Sequence, residues 1–259
     1  DRSVNANPLT VHGTIKREPV ADDAELMKYS GFSLSDYFQQ PYNADFDFGI
    51  GDFSIICWVS NTTSARDWIL QRRQPDDTGQ QFYLRFNSDG SIGGYPGTVE
   101  SAGGFNDGAM HMVAMFRTGD VTYLYVDGSL EASIANTVNL TAADAELLVG
   151  DGYNAGNRGV ALNGGSIALL RIGATAPTAA QIAKMYADEL PMFQPGAAVT
   201  LAGADAEVKA LAHDSDLDLI HAGQSDGTSI FGGPSPLVRV EENNNQVTTT
   251  LDVVSGMVA

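Results

Sequence analysis

Only one stretch of this chain carries the signals of a helix with both ends specified, and it follows directly on a strand. In GSIALLRIGATAPTAAQIAKMYADELPMF (Gly165 to Phe193), Ser166 to Ile172 reads as a strand rich in Ile and Leu. After the Ala-Pro break, Thr178 caps a helix and Gln181 supplies the reciprocal partner of a capping box. Ile182, Met185, Tyr186 and Leu190 recur at helical spacing. They form one apolar stripe, so the helix must lie on a larger body, and Pro191 ends it.

That larger body reads as β. Phe53, Ile55, Cys57 and Val59 alternate with Ser54, Ile56, Trp58 and Ser60, which predicts one uniformly apolar face and one half-covered face. Phe82, Leu84 and Phe86 alternate with Tyr83 and Arg85, and Asn87 to Gly90 (NSDG) closes a hairpin onto a strand around Ile92. Val121 to Val126 turns at Asp127-Gly128 into a short strand, Leu130 to Ser133. Leu9 to Ile15 is expected to be a first strand, and Ala21 to Gln40 is mixed, with turns at Gly31, Ser33 and Ser35. In WILQRR, Trp68 and Leu70 are expected to face the same way. Leu147 to Val149 and Ser166 to Ile172 flank a Gly-rich loop, Gly150 to Gly159 (GDGYNAGNRG). Many short strands with Gly and Asp turns predict an all-β fold of two packed antiparallel sheets.

A chain of 259 residues with 43% hydrophobic content can fill one large β core and carry a small appendage. No apolar run approaches the roughly 20 residues that span a bilayer. The opening DRSVNANPLT lacks the pattern of a signal peptide and fits a piece of something longer. The net charge of −18, from 32 acidic and 14 basic residues, argues against nucleic-acid binding and against an anionic membrane surface, because little is left to neutralise phosphates. Cys57 is alone, so neither an internal disulfide nor a thiolate-rich zinc site is expected. It reads as a small buried hydrophobe in a protein folded in a reducing compartment.

Three domain ranges are expected: a sandwich over 1–193, a linker over 194–206 and a small β-rich unit over 207–259. In the last, Val208, Leu211, Leu217, Leu219 and Ile220 supply apolar positions around an Asp-rich turn, in the shape of one propeller blade, and a hairpin is expected at Asn243 to Asn245. One blade cannot bury its own face. Packing against copies from neighbouring chains is therefore expected.

Catalytic signals are weak. Asp45, Asp47 and Asp52 are spaced along a turn pattern with no Glu among them, and Asp45 and Asp47 read as turn formers. His111 reads as a half-exposed structural side chain, while His12, His213 and His221 do not combine into a metal site by spacing. GQSDG (Gly223 to Gly227) matches G-x-S-x-G around Ser225, but FGGPSP follows where a nucleophile elbow needs a helix. No catalytic residue is assigned.

The order of these motifs resembles laminin G-like, concanavalin A-like jelly-roll domains. NADFDFGIGDFSIICWVS (Asn43 to Ser60), DGAMHMVAMFR (Asp107 to Arg117) with TYLYVDGSL (Thr122 to Leu130), and the closing strand and helix appear in the family's order over roughly residues 9–193. Met110 stands where the family usually has Trp, a change expected to alter packing rather than fold. YSGFSLSDYFQQPYN and APTAAQIAKMYADE are most similar to domains of bacteriophage tail fibres and tail-tip proteins. The resemblance implies a two-sheet antiparallel jelly roll with one short C-terminal helix, and a non-enzymatic module attaching the virion to a host-surface glycan or receptor. It also implies a homotrimer, other virion proteins as partners, and a place in the tail after assembly in host cytoplasm. A structural spacer or decoration module is the alternative. A polysaccharide hydrolase is a third reading, against which stands the missing Glu-x-Asp-x-(x)-Glu run. The family's calcium site at the sheet rim implies Asp107, Asp151, Asn154 and Asn157 as candidate ligands. Recognition through rim loops implies Tyr95, Tyr153, Asn154, Asn157 and Arg158, with exposed aromatics for a sugar face, amides for its hydroxyls and the Arg158 cation for an acidic sugar carboxylate; Trp68 near Arg66 is a further aromatic of this kind, for which a core or sheet-face role is the stronger reading.

Overall fold

The computed structural model describes residues 8–21, 24, 26–75, 81–154, 157–193, 208–217, 219–225, 227–232 and 237–242. Residues 1–194 and 195–259 form two compact units. The first is a jelly-roll sandwich of two antiparallel sheets. One sheet runs, in spatial order, Thr10–His12 (β1), Tyr37–Gln40 (β4), Glu146–Val149 (β13), Asp67–Arg73 (β6), Phe82–Phe86 (β7), Ile92–Tyr95 (β8) and Val99–Glu100 (β9). The other runs Ser129–Ala135 (β12), Val121–Val126 (β11), His111–Thr118 (β10), Phe53–Ser60 (β5), Ser166–Gly173 (β16), Met27–Ser30 (β3) and Lys16–Pro19 (β2).

The alternation in β5 sets the core. Phe53, Ile55, Cys57 and Val59 point between the sheets, against Phe82, Leu84 and Phe86 of β7 and Val113 and Met115 of β10. Burial pushes the Cys57 thiol up to about 12, so it stays protonated and inert. The opposite face of β5 is covered more fully than its sequence predicts, since all eight β5 residues are buried. Ile56 and Trp58 join Met112, Ala114, Phe116 and Tyr125 in a second apolar cluster outside the sheet, closed by Ile182 of the helix Ala179–Glu189 (α1). The Thr178–Gln181 capping box forms as expected. Pro191 ends the α-helix, and the chain continues in a turn of 3₁₀ helix, Leu190–Phe193, whose Phe193 stacks on Trp58 at 4.0 Å. Trp58 Nε1 donates to Glu189 at 2.6 Å, and Arg171 grips the same carboxylate, so the helix is tied to the sheet by its last turn. Met110 packs against this cluster.

Three expectations are corrected. Leu9 to Ile15 is not one strand, because Gly13 takes a left-handed φ of 63° and passes the chain from β1 in one sheet to β2 in the other. Trp68 and Leu70 face opposite ways, because the β6–β7 register slips between Trp68↔Arg85 and Leu70↔Leu84. Leu70 enters the core, and Trp68 lies on the outer face under the Arg85 guanidinium, 5.5 Å from its ring centre. The return strand of the Asp127-Gly128 hairpin runs on to Ala135 rather than stopping at Ser133.

The second unit is a four-stranded antiparallel meander, Ala210–Asp214 (β17), Leu219–Gly223 (β18), Gly227–Gly232 (β19) and Leu237–Glu242 (β20). Pairing of Leu211 with Ala222 and of His213 with Ile220 puts Leu211 and Ile220 on one face, and both are exposed. The expected linker over 194–206 and hairpin at Asn243 to Asn245 lie outside the described residues.

Candidate functional site

The loops at one rim of the sandwich are held together by the hydrogen bonds of the turn after β5. Asn61 accepts from the Gly108 N–H through its carbonyl at 2.9 Å, Thr62 Oγ1 donates to the Gly164 carbonyl, and Asn106 Nδ2 donates to the Thr63 carbonyl at 2.9 Å. The chain from 61 to 66 is thus flanked by the loop before β10 and the loop before β16. Its base is Asp67, which is buried and takes hydrogens from Asn61 Nδ2 at 3.0 Å and from Thr63 Oγ1. Beside it, Ser33, Leu34, Ala65, Arg66, Asp67 and the segment Gly159 to Asn163 enclose a groove of about 360 Å³.

The Gly-rich loop from Gly150 is built inward rather than outward. Tyr153, expected as an exposed aromatic, is buried. Its hydroxyl donates to Glu146 at 2.5 Å and its backbone N–H donates to Gln71 Oε1 at 2.6 Å. Burial and the Glu146 carboxylate both push that hydroxyl well above its ordinary pKa. Arg158, expected to offer a fixed cation to an acidic sugar carboxylate, instead holds Asp151 through Nε at 2.9 Å and Nη2 at 2.5 Å, and Nη2 also donates to the Leu34 carbonyl at 2.9 Å. Its guanidinium lies 3.5 Å over the Tyr37 ring, which stacks in turn on His12 at 4.4 Å. Two bonds to the one Asp151 oxygen, the bond to Leu34 and the stacking leave little of this guanidinium for a ligand. Desolvation outweighs the pairing at the fully buried Asp151 and raises its carboxyl; at half-exposed Arg158 burial opposes the charge, but the Asp151 partner prevails and raises its pKa. Asn154 and Asn157 pair with each other in the two-residue ladder of Tyr153–Asn154 (β14) and Asn157–Arg158 (β15). The expectations for their side chains lie outside the described residues.

The other candidates stand apart. Tyr95 is half-buried on the outer face, stacked on Tyr83 at 5.7 Å, with Tyr83 edge-on to Trp68. Only β7 lies between Tyr95 and Gln71, the partner of Tyr153, so the two are two strand spacings apart, about 10 Å across the sheet. Asp107 accepts from the Ala109 N–H at 2.8 Å and pairs with His111 Nε2 at 3.1 Å. His111 Nδ1 is 2.7 Å from Asp127, so this histidine is a bracketed structural group, mostly buried rather than half-exposed. Among the described residues no group of three His, Cys, Asp or Glu is placed to hold a metal ion. Asp47, read as a turn former, is instead the counter-ion of fully buried Arg72, at 2.5 Å.

Sequence reasoning did not single out Ser33, Leu34 or Asn163, and it noted Arg66 only as the neighbour of Trp68. They come from three loops far apart in the chain, and no local motif joins them. The one available signal was an Arg inside the otherwise uncharged turn NTTSAR between two apolar strands.

The chain belongs to the concanavalin A-like lectin/glucanases superfamily, of laminin G type: the family's model matches residues 32–183, more than half of the chain. No curated protein sequence matches it. Among solved structures, the binding domain of paraclostridial mosquitocidal protein 1 superposes with a TM-score of 0.56 at 10% identity, over 88% of this chain and 60% of that one. The binding domain of botulinum neurotoxin DC in complex with SialylT gives 0.54 at 10% identity, over 90% and 59%. Trypanosoma rangeli sialidase gives 0.50 at 11% identity, over 71% of this chain and 30% of the enzyme. The chain therefore spans less than two thirds of each of these proteins, and at such identities the likeness is one of fold.

Proposed function

We propose that residues 1–193 are a non-enzymatic recognition module that binds a host-surface glycan or receptor, and that the chain is part of a bacteriophage tail fibre or tail tip. The observation that carries the binding reading is the rim groove beside Arg66, shaped by three loops on a rigid sandwich, the arrangement by which a fixed scaffold presents variable recognition loops. The family membership and the SialylT complex of the neurotoxin binding domain support sugar recognition on this kind of fold. The tail-fibre setting is supported by the wording of residues 29–43 and 176–189. The exposed Leu211, Leu217 and Ile220 of the second unit support self-association there; that the assembly is a trimer rests on the resemblance to fibre proteins alone.

The test is a screen of the purified chain against a glycan array and intact bacterial cells, with and without chelator. Saturable binding supports the module. Loss of that binding with chelator, restored by calcium, supports a rim calcium site. A folded chain that binds neither sugars nor cells favours the spacer reading. Sedimentation equilibrium at micromolar concentration tests the trimer, and a monomer refutes it.

A further inference from the structure

We propose that the groove between Ser33–Leu34, Ala65–Asp67 and Gly159–Asn163 binds a carboxylate-bearing sugar, with Arg66 as the residue that holds its acid group. The inference rests on the glycan-binding reading and adds to it the charge of the ligand and the side chain that recognises it.

Arg66 is exposed, lines the groove, and makes no hydrogen bond or ion pair with any described residue. Four other arginines of the sandwich are spent internally: Arg72 on Asp47, Arg117 on the Gly49, Gly51 and Val138 carbonyls, Arg158 on Asp151, and Arg171 on Glu189. Arg17 of β2 is exposed and also without such a partner among the described residues, but it does not line this groove. The carboxylates near the groove are committed as well. Asp67 is buried under Asn61 and Thr63, Asp151 is taken by Arg158, and Asp36 accepts from the Thr14 N–H and from the Ser33 and Ser35 hydroxyls. In a chain of net charge −18, an arginine left unpaired against a concavity is a conspicuous exception.

The rest of the wall suits a sugar. A guanidinium presents a planar fork of donors that matches a carboxylate in two parallel bonds. Leu34, 54% exposed, and Val160 offer apolar surface to the carbon face of a ring. Asn163 is exposed, and its amide both donates and accepts, as a hydroxyl-bearing ligand needs. A volume of about 360 Å³ sits at the small end of ligand sites, enough for a terminal residue rather than a long chain.

The experiment measures affinity of the full chain for uronic-acid-, sialic-acid- and sulfate-bearing glycans beside their neutral parents. Carboxylated glycans are expected to bind at least about tenfold more tightly than neutral parents, and Arg66→Ala to remove that advantage, given the worth of a charged hydrogen bond. Arg66→Lys is expected to restore it only in part. Asn163→Trp, which fills the groove from an exposed position, is expected to abolish binding. Melting temperature should be unchanged in the Arg66 variants, because Arg66 supports nothing else. Equal affinity for neutral parents, preference for sulfate alone, or binding indifferent to Arg66→Ala overturns the inference and leaves glycan binding standing. Binding to no glycan at all overturns both.

Discussion

Replacing Asp47 with Ala is expected to destabilise the sandwich by about 3 kcal/mol, far more than loss of a turn residue would. The Asp47 carboxylate accepts from Arg72 Nη2 at 2.5 Å, from the Ala142 N–H at 3.0 Å and from the Tyr42 hydroxyl at 2.8 Å. Arg72 has no exposed surface, so removing Asp47 strands a cation in the core, and breaking one partner of a buried pair costs about 3–5 kcal/mol. Two features place this case at the low end. Arg72 keeps the Leu140 and Ala142 carbonyls at 3.1 and 3.2 Å, and the Asp47 side chain retains 15% exposure, so water reaches the vacated edge. For a unit of this size, about 3 kcal/mol corresponds to a fall of roughly 6–12 °C in Tm.

Intrinsic fluorescence is the suitable probe, because both tryptophans of the chain, Trp58 and Trp68, lie in the first unit and report its unfolding alone. Urea melts of Asp47→Ala, Arg72→Met and the double variant complete a cycle. The double variant removes the stranded charge along with its partner, so its loss should fall short of the summed single losses by at least about 1 kcal/mol. The pH dependence has a definite sign. Burial alone would raise the Asp47 carboxyl, but the Ala142 N–H, the Tyr42 hydroxyl and Arg72 together hold it below the usual range. A depressed carboxylate contributes stability above its unfolded value of about 3.9 and loses it as pH falls toward the folded value. The gap between wild type and Asp47→Ala should therefore narrow below about pH 4. A loss under about 1 kcal/mol at pH 7 with additive singles would refute the ion-pair account and return Asp47 to the role of turn former.

Further outcomes are expected. Ile55→Ala, at a position with no exposed surface, should cost about 2–5 kcal/mol in denaturant melts, and a loss below about 1 kcal/mol would contradict its assignment to the inner face. Burial pulls His111 down, but Asp127 and Asp107 more than compensate, so its folded pKa is raised. That stabilisation is complete below its unfolded value of about 6.5 and is lost as pH rises through the folded one, a slope that His111→Gln should flatten in urea melts at pH 5.5 to 8.5. Tyr153→Ala should lower stability by about 3 kcal/mol as a buried aromatic truncation, whereas Tyr153→Phe, which removes only the bond to Glu146, should lose about 1 kcal/mol. Equal and negligible losses in both would show that the ring is free after all.

The fold was legible where the physics is local. The inner face of β5, the capping box at Thr178 and the Asp127-Gly128 hairpin each depend on a few adjacent residues, and each forms as the pattern dictates. What alternation could not reveal was the phase error at β6: one bulge between Trp68 and Leu70 turns Trp68 outward, and bulges leave no fixed mark in composition. The full burial of Trp58 was equally hidden, since it depends on α1 folding back across β5 from 131 residues away. At the rim the difficulty was greater. Tyr, Asn and Arg in a Gly-rich loop have the composition of a recognition loop, and the same residue types serve equally well to tie a loop down.

Geometry separates those two roles at Arg158. An arginine poised for a ligand keeps its fork open, whereas Arg158 closes its own on Asp151, bonds to the Leu34 carbonyl and rests on Tyr37. These contacts join the Gly150 loop to the β3–β4 turn, and both segments contribute to the lining of the groove, Gly159, Val160, Ala161 and Asn163 from one and Ser33 with Leu34 from the other. The internal pair therefore fixes the spacing of these two segments. Breaking it should disturb binding indirectly, through the position of Leu34, and should cost stability as well. Arg66→Ala should cost none. The scaffolding at this rim therefore falls to Arg158, and the recognition proposed for the groove falls to a different cation, Arg66.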